Sequence, residues 1–295
     1  MSAPEQAGSP GSPDSPSQAR RAWASLELLH VVGYFAEEVT EEYVALGLHE
    51  RLAYFPARAA AMGPVGPRVT EATFYVFAPW LHDAALPGAW DLTTPAALVE
   101  ARRRGMARAL ERIVGSTDVA EALALARRLA EHLAAGPQGT GGRALYAAHA
   151  QLPWPEDDLL ALWHAATLVR EHRGDGHVAL LLARGIDPVE ATVLDGAWAG
   201  KERFLRATRG WTPEELAAAE DRLRSRGWMD AGAGLTDDGR AAREDLEQDT
   251  ARVSQAPWDE LGPQDTRRLV ELLAPLRRAV LDSGVLPGRL GSLGG

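Results

Sequence analysis

Several residue types and patterns are missing from this 295-residue chain, and each absence narrows its possible functions. There is no cysteine, which excludes disulfide bonds and thiolate zinc sites, so any metal would need histidine and carboxylate ligands. No run of eighteen apolar residues occurs, and the N-terminus MSAPEQAGSPGSPDSPSQ has neither a basic nor an apolar segment. The sequence therefore predicts no membrane span and no signal peptide, and we expect a cytoplasmic protein.

Lysine is nearly absent, since Lys201 is the only one, and arginine carries almost all of the positive charge. The formal net charge is −10. A negative chain repels the phosphate backbone of nucleic acids unless its arginines gather on one face, which disfavours DNA binding. Phosphate-binding glycine loops, HExxH and GxSxG are also missing, so we predict no cofactor, and an enzyme would have to use histidine acid–base chemistry.

Apolar residues recur at helical spacing along most of the chain, and strand-like alternation is rare. Glycine and proline interrupt the pattern, most clearly at GPQGTGG (136–142), which is the best candidate for a linker between domains. We expect Pro275 to kink or split the last helix. The predicted parts are a disordered tail (1–17), an N-terminal helical domain (18–140), central helices (141–186), a winged helix (187–255), a C-terminal helix (256–282) and a second tail (283–295).

Residues 187–255 show the order of elements typical of a winged helix. Asp187-Pro188 and Thr212-Pro213 are start signals for helices, because a capping side chain precedes proline at the first helical position. A short helix is expected around KERFLRATRG, and WMDAGAGLTDDGRAAREDLEQDT predicts a glycine-tipped hairpin followed by a long helix. The predicted fold class is therefore all-α with a small β-wing, with the N-terminal helical domain packed on the winged helix.

The same segment, RLRSRGWMDAGAGLTDDGRAAREDLEQDT, resembles the recognition helix, wing and following helix of MarR-like winged-helix proteins. Over residues 20–281, the motifs YFPARAAAMGPVGP, FYVFAP, LPWPEDDLLALWHAATLVREHRGDGH and ELLAPLRRAV are similar to an actinobacterial helix-turn-helix family related to SalK proteins of specialised-metabolite clusters. The resemblance implies a DNA-binding fold in specialised metabolism, but a fold does not establish an activity.

The predicted recognition helix has the wrong charge for reading DNA. Its N-terminal turns should face base edges and phosphates, yet TPEELAAAED contains four acids and no base: Glu214, Glu215, Glu220 and Asp221. The hairpin MDAGAGLTDD lacks the arginine that commonly enters the minor groove. A DNA-binding regulator is therefore the alternative and not the preferred hypothesis.

The segment LWHAATLVREHRGDGH (162–177) holds three of the eight histidines. We expect a helix from Pro155 to about His172 that ends at Gly174, with a chain reversal at Gly176 that brings His172, Asp175 and His177 together. Four interpretations remain open: a polar joint in which Arg170 pairs with Asp175, a ligand site, a histidine acid–base site, and a metal site of His172, Asp175 and His177.

Taken together, these patterns favour a small-molecule-binding protein with a His/Arg-lined cleft between two domains. Its expected ligand is a metabolite, with catalysis in the same cleft as a further alternative and homodimerisation left open. The candidate ligand-binding residues are His30, Tyr34, Arg58, Tyr75, His164, Arg170, His172, Asp175 and His177.

Overall fold

The computed structural model describes residues 17–136 and 139–287. The N-terminal half contains a 3₁₀ helix at Ala60–Met62 and the helices α1 Gln18–Phe35, α2 Glu37–Ala45, α3 Tyr54–Ala59, α4 Pro67–Phe74, α5 Pro79–Ala85, α6 Ala89–Leu92, α7 Pro95–Val114, α8 Ala120–Ala135 and α9 Ala144–Ala150. The C-terminal half contains α10 Asp158–Ala183, α11 Pro188–Ala199, α12 Glu202–Thr208, α13 Pro213–Ser225, α14 Asp237–Arg252, α15 Ala256–Leu261 and α16 Pro263–Asp282. None of the helices described is long and apolar enough to cross a membrane.

The larger apolar core lies among α1, α7, α8, the first half of α10 and α16. Helix α1 starts where the Ser17 hydroxyl accepts a hydrogen bond from the backbone N–H of Arg20. It buries Leu26 and Leu29, which are at most 2 % exposed, and packs against α16 and α10. Removing such side chains from water is the main force that holds these helices together.

A smaller apolar core joins the C-terminal end of α10 to α11, α13 and α14. The predicted helix starts at Pro188 and Pro213 are confirmed. The side chains of Asp187 and Thr212 each accept a hydrogen bond from the backbone N–H three residues later, and the glutamate side chain at that position accepts one from the backbone N–H of the cap residue. Local sequence thus sets where α11 and α13 begin.

The predicted β-wing is wrong, because the described residues contain no strand. Between α13 and α14 there is a single antiparallel bridge, which joins Met229 to Leu235. The Asp230 carboxylate accepts hydrogen bonds from the backbone N–H groups of Gly232 (2.8 Å) and Gly234 (2.9 Å), which fixes a tight turn. Alanine and glycine favour strands poorly, and the segment is too short to extend the ladder. The described fold is all-α.

Helix α10 runs through the histidine-rich segment without a break, so the predicted helix end near His172 and chain reversal at Gly176 are wrong. A Cβ atom at Gly176 would lie 2.7 Å from Arg143 Nη1 and 3.1 Å from Val253 Cγ2. Glycine is therefore needed for close packing of two neighbouring segments on α10, and not for a turn.

Two helices, α15 and α16, occupy the region predicted as one C-terminal helix, with Gly262 (φ +87°) between them. Pro275 lies inside α16 and does not split it. Helix α16 packs on α1 and α8, so it closes the larger core.

Of the predicted C-terminal tail, Val285 and Leu286 pack against the larger core, and 288–295 lie outside the described residues. Residues 1–16 of the predicted N-terminal tail and 137–138 of the predicted linker also lie outside them.

Candidate functional site: an arginine cleft and a buried ionic cluster

A cleft of about 670 Å³ opens between α1 and α16 of the larger core and α11 and α14 of the smaller one, and α10 contributes to its wall. This volume is in the range of small-molecule sites. Six of the lining side chains are cationic and two are anionic. We call it the arginine cleft; its charged lining residues are Arg20, Arg21, Arg173, Lys201, Arg243, Arg277, Asp195 and Glu247.

One carboxylate, that of Glu247, is hydrogen-bonded to three of these arginines. Glu247 accepts hydrogen bonds from Arg20 Nη1 (2.6 Å), Arg173 Nη2 and Arg243 Nη1 (3.4 Å). Burial alone would raise the pKa of Glu247, but the guanidinium groups of Arg173, Arg20 and Arg243 lower it. Arg243 also donates to Asp195 Oδ1 at 3.0 Å. The cleft therefore keeps an excess of positive charge although the whole chain is strongly negative.

Two tryptophans hold arginines in place within the cleft. The Cζ atom of Arg173 lies 4.2 Å from the ring centroid of Trp23, and that of Arg243 lies 4.3 Å from Trp198. The buried Trp23 Nε1 has no hydrogen-bond partner among the described residues, and Trp198 is 38 % exposed. Aromatic faces next to fixed cations suit a planar, negatively charged ligand.

His177 is the single predicted site residue that lines the arginine cleft. Thr250 donates its hydroxyl proton to the Leu246 carbonyl, so it accepts from His177 Nδ1 at 2.9 Å. Burial, followed by the charges of Arg243 and Arg173, lowers the pKa of His177 to about 4. The imidazole is therefore neutral at pH 7, with Nε2 as a hydrogen-bond acceptor.

Four other predicted residues come together in the interior, where α1, α3 and α10 meet. Their centre is Glu171: Arg58 donates to its two oxygens at 3.3 and 2.9 Å, and Arg170 Nη1 donates to Oε2 at 2.6 Å. Arg170 Nε also lies 3.8 Å from Glu27 Oε1, so the predicted pairing of Arg170 with Asp175 is wrong. We call Glu27, Arg58, Arg170 and Glu171 the buried ionic cluster.

The charges in this cluster shift one another's titration. Burial alone would raise the pKa of Glu171, but Arg170 and Arg58 lower it well below its ordinary value. Burial raises the pKa of Glu27, and Arg170 opposes that shift only in part. The cluster is thus a buried ionic contact between three helices, in which Glu27 Oε2 has no hydrogen-bond partner among the described residues.

His30 and Tyr34 extend the cluster as a chain of hydrogen bonds. Thr167 donates to the Trp163 carbonyl, so His30 Nδ1 donates to the Thr167 hydroxyl at 3.0 Å. His30 Nε2 then accepts from the Tyr34 hydroxyl at 2.7 Å. Burial and the charge of Arg170 lower the pKa of His30 well below its ordinary value, which keeps the ring neutral. Both ring nitrogens are occupied, as in a structural histidine.

The proposed metal ligands His172, Asp175 and His177 contact different partners. The His172 ring packs edge-on against Tyr146 with centroids 5.1 Å apart, and Asp175 Oδ2 accepts from the backbone N–H of Tyr146 at 2.9 Å. His177 instead contacts Thr250 on α14. In the part of the chain that is described, no group of three or more histidines and acids could hold a metal ion.

Tyr75 and His164 lie apart from both groups. The Tyr75 hydroxyl donates to the Ile186 carbonyl at 2.7 Å, and His164 packs edge-on against Trp154 with centroids 4.9 Å apart.

Most of the lining of the arginine cleft was missed by sequence reasoning. One sequence feature could have pointed to the cleft, because Lys201, the only lysine in the chain, lines it.

The exposed face of α13 confirms the acidic character that the sequence predicted. Glu214, Glu215 and Asp221 are exposed, whereas the basic residues near the C-terminal end are paired. Arg222 Nη2 contacts Asp187 Oδ2 at 2.6 Å, and Arg224 Nη1 contacts Asp221 Oδ1 at 2.6 Å. This helix therefore presents few uncompensated cations to a phosphate backbone.

The described structure is that of an all-α protein in which α11 and α14 form one side of a basic cleft. The chain belongs to a helix-turn-helix family, whose family model matches residues 19–287. This match supports the helix-turn-helix part of the resemblance noted above and does not test its MarR-like or SalK part. No curated protein and no solved structure was found to match the chain.

Proposed function

We propose that this helix-turn-helix protein binds an anionic small molecule in the arginine cleft. The observation that carries the proposal is the excess of four cationic over anionic side chains in one cleft of about 670 Å³, in a chain whose formal net charge is −10. A carboxylate or phosphate can accept several charge-assisted hydrogen bonds there, while the tryptophans contact a planar body. Because of the SalK-like motifs, an acidic specialised metabolite is the first class to test.

The cleft would connect ligand binding to residues 187–255, the segment that the sequence predicts to contain the helix-turn-helix. Asp195 and Trp198 lie on α11 and Arg243 lies on α14, whereas Trp23 lies on α1. A ligand that contacts both sides would favour one arrangement of α11 and α14 relative to α1, which is the requirement for a ligand-responsive protein. Catalysis in the same cleft would depend on His177, whose neutral ring offers an acceptor nitrogen.

The test uses thermal melting of the full chain against a panel of aromatic carboxylates and phosphate esters at constant ionic strength. The double variant Arg21→Gln/Lys201→Gln removes two cleft cations that form no salt bridge with a described residue. The matched control Arg203→Gln/Arg240→Gln removes two exposed arginines that do not line the cleft. We expect the cleft variant to bind at least tenfold more weakly than the parent and the control. Equal affinities in all three proteins would contradict the proposal.

Sequence-specific DNA binding is the second candidate function, and the family match is the observation that favours it. With the acidic turns of α13, such binding would depend on other surfaces or on a second copy of the chain. A gel shift with the chain's own upstream DNA, with and without a ligand found in the first experiment, tests this candidate. A ligand-dependent change in affinity would join the two functions in one regulator.

A further inference from the structure

Arg102 on α7 is a buried cation without an ionic partner. Only 4 % of the residue is exposed, and Nη2 has no hydrogen-bond partner among the described residues. No carboxylate of the described chain lies within salt-bridge distance of it, whereas the neighbouring Arg103 and Arg104 pair with Glu100 and Glu42. Burying a charge without a partner costs free energy, so a bound anion beside this guanidinium would stabilise the fold.

Two aromatic rings contact Arg102 but do not neutralise it. Its Cζ atom lies 4.9 Å from the ring centroid of Trp163 and 5.7 Å from that of Tyr34. Cation–π contacts of this kind offset part of the desolvation cost, and they leave the N–H groups at the edge of the guanidinium available to an acceptor.

A cavity of about 40 Å³ adjoins Arg102 and is lined by polar groups suited to an anion. Tyr43, which is 7 % exposed, makes no hydrogen bond with a described residue through its hydroxyl. Arg58 also lines the cavity, and it forms an ion pair with Glu171. The one acidic lining residue, Glu50, is exposed. The cavity shares no lining residue with the arginine cleft.

We propose that Arg102 and Tyr43 form a site for a small monovalent anion, either a halide or the carboxylate of a molecule no larger than acetate. The volume suits a ligand of this size, because 40 Å³ accommodates about three water-sized groups, fewer than the heavy atoms of an aromatic acid or a phosphate ester. The anion accepts charge-assisted hydrogen bonds from the guanidinium and one from the Tyr43 hydroxyl. Through Arg102 it connects α7 to the rings of Tyr34 on α1 and Trp163 on α10.

The test measures the melting temperature of the full chain at constant ionic strength while gluconate, which is too large for the cavity, is replaced by chloride, formate or acetate. We expect a saturable rise of about 3 °C when the anion is at ten times its dissociation constant. Arg102→Met should lose the rise, and Tyr43→Phe should need several-fold more anion. Arg104→Met, on the exposed side of the same helix, should behave as the parent.

The three test anions show whether the site prefers a halide or a small carboxylate. A rise with chloride alone assigns a halide, and a rise with formate and acetate at lower concentrations assigns a carboxylate. If Arg102→Met does not fold, bromide-soaked crystals of the parent give an independent measurement, with an anomalous peak expected beside Arg102. A melting temperature that is the same in all four anions, or crystals of the parent soaked in bromide and in formate that show neither anion beside Arg102, would overturn the proposal.

Discussion

At the scale of single residues, burial and pairing decide what each ionisable group contributes. Asp175 and Glu171 lie four residues apart on α10, yet their pKa values shift in opposite directions. Burial raises the pKa of Asp175 to about 6, and the hydrogen bond from the Tyr146 backbone N–H, which lowers it, offsets that shift only in part. At Glu171 the two arginines outweigh the same desolvation.

Asp175→Asn should change the pH dependence of stability. The raised pKa of Asp175 means that its contribution is present below the unfolded value of 3.8 and is lost as pH rises through about 6. Asparagine keeps an oxygen for the Tyr146 N–H and has no such loss. We expect the variant to gain about 2 kcal/mol relative to the parent between pH 4 and pH 7. Urea unfolding of both proteins across this pH range measures the difference. If their free energies of unfolding depend on pH in the same way, the raised pKa of Asp175 is contradicted.

Glu171→Gln should be among the most damaging single changes in the chain. It leaves the buried guanidinium groups of Arg58 and Arg170 without their common partner, and breaking a buried ion pair costs about 3–5 kcal/mol. Glu121→Gln is the matched control, because its salt bridge with Arg268 is exposed to solvent and should contribute little to stability. Urea unfolding at pH 7 compares the two. A loss at Glu171 no larger than at Glu121 would show that the cluster is not buried as described.

At the scale of elements, α10 shows that two glycines in one helix can have different roles. A Cβ at Gly176 would lie 2.7 Å from the buried Arg143, whose Nη2 donates to the Val253 carbonyl at 2.8 Å. A Cβ at Gly174 would lie 3.4 Å from Arg170 Nη1, which is close to ordinary contact.

Replacing each glycine by alanine should therefore affect stability differently. Alanine gains about 1 kcal/mol of helix propensity at either position. At Gly176 the overpacking should outweigh this gain, with a net loss of about 1–2 kcal/mol, whereas Gly174→Ala should be neutral or stabilising. Thermal melting of the two variants and the parent measures these changes in stability. A stabilised Gly176→Ala would mean that Arg143 can move aside at little cost.

The acidic N-terminal turns of α13 lead to a prediction about DNA. We expect binding to the chain's own upstream DNA at about 0.1 M salt to be weaker than roughly 100 nM, because Glu214 and its neighbours oppose phosphates. Glu214→Gln should tighten whatever binding exists, and Glu260→Gln, an exposed acid on α15, should not. A tighter, sequence-specific complex of the parent in gel shifts would favour the regulator over our preferred function.

At the scale of the whole molecule, the two apolar cores depend on each other. Tyr75 and Val76 belong to the N-terminal half but pack against the smaller core. The Val76 carbonyl accepts hydrogen bonds from Trp211 Nε1 at 3.0 Å and from Thr192 Oγ1 at 3.3 Å. The smaller core is thus completed by residues more than a hundred positions away in the chain.

A fragment of residues 178–295 should therefore aggregate or melt well below the full chain. It loses Tyr75, Val76 and most of α10, which exposes apolar surface around Trp211. Calorimetry and size-exclusion chromatography of the fragment and the full chain provide the measurement. Cooperative unfolding of a monomeric fragment would show that the smaller core is self-sufficient, and the cleft between the two cores would lose its fixed geometry.

The sequence by itself determined the helices and several of their boundaries. Capping at Asp187-Pro188 and Thr212-Pro213 involves residues three positions apart, so local patterns suffice to locate the starts of α11 and α13. The acidic face of α13 follows from composition in the same way. The β-wing was wrongly predicted because a glycine-rich turn and a short hairpin have similar local sequences, and only pairing along the ladder separates them.

Tertiary structure alone decided which charges meet. Arg170 has Glu171 as its neighbour in sequence, but the second arginine on that carboxylate, Arg58, is 113 residues away. Likewise, the arginine cleft gathers cations from α1, α10, α14 and α16, and no sequence spacing relates them. Side-chain partners across helices depend on crossing positions and on glycines such as Gly176 that permit close approach. Such contacts are set by packing of the whole chain and are invisible to local periodicity.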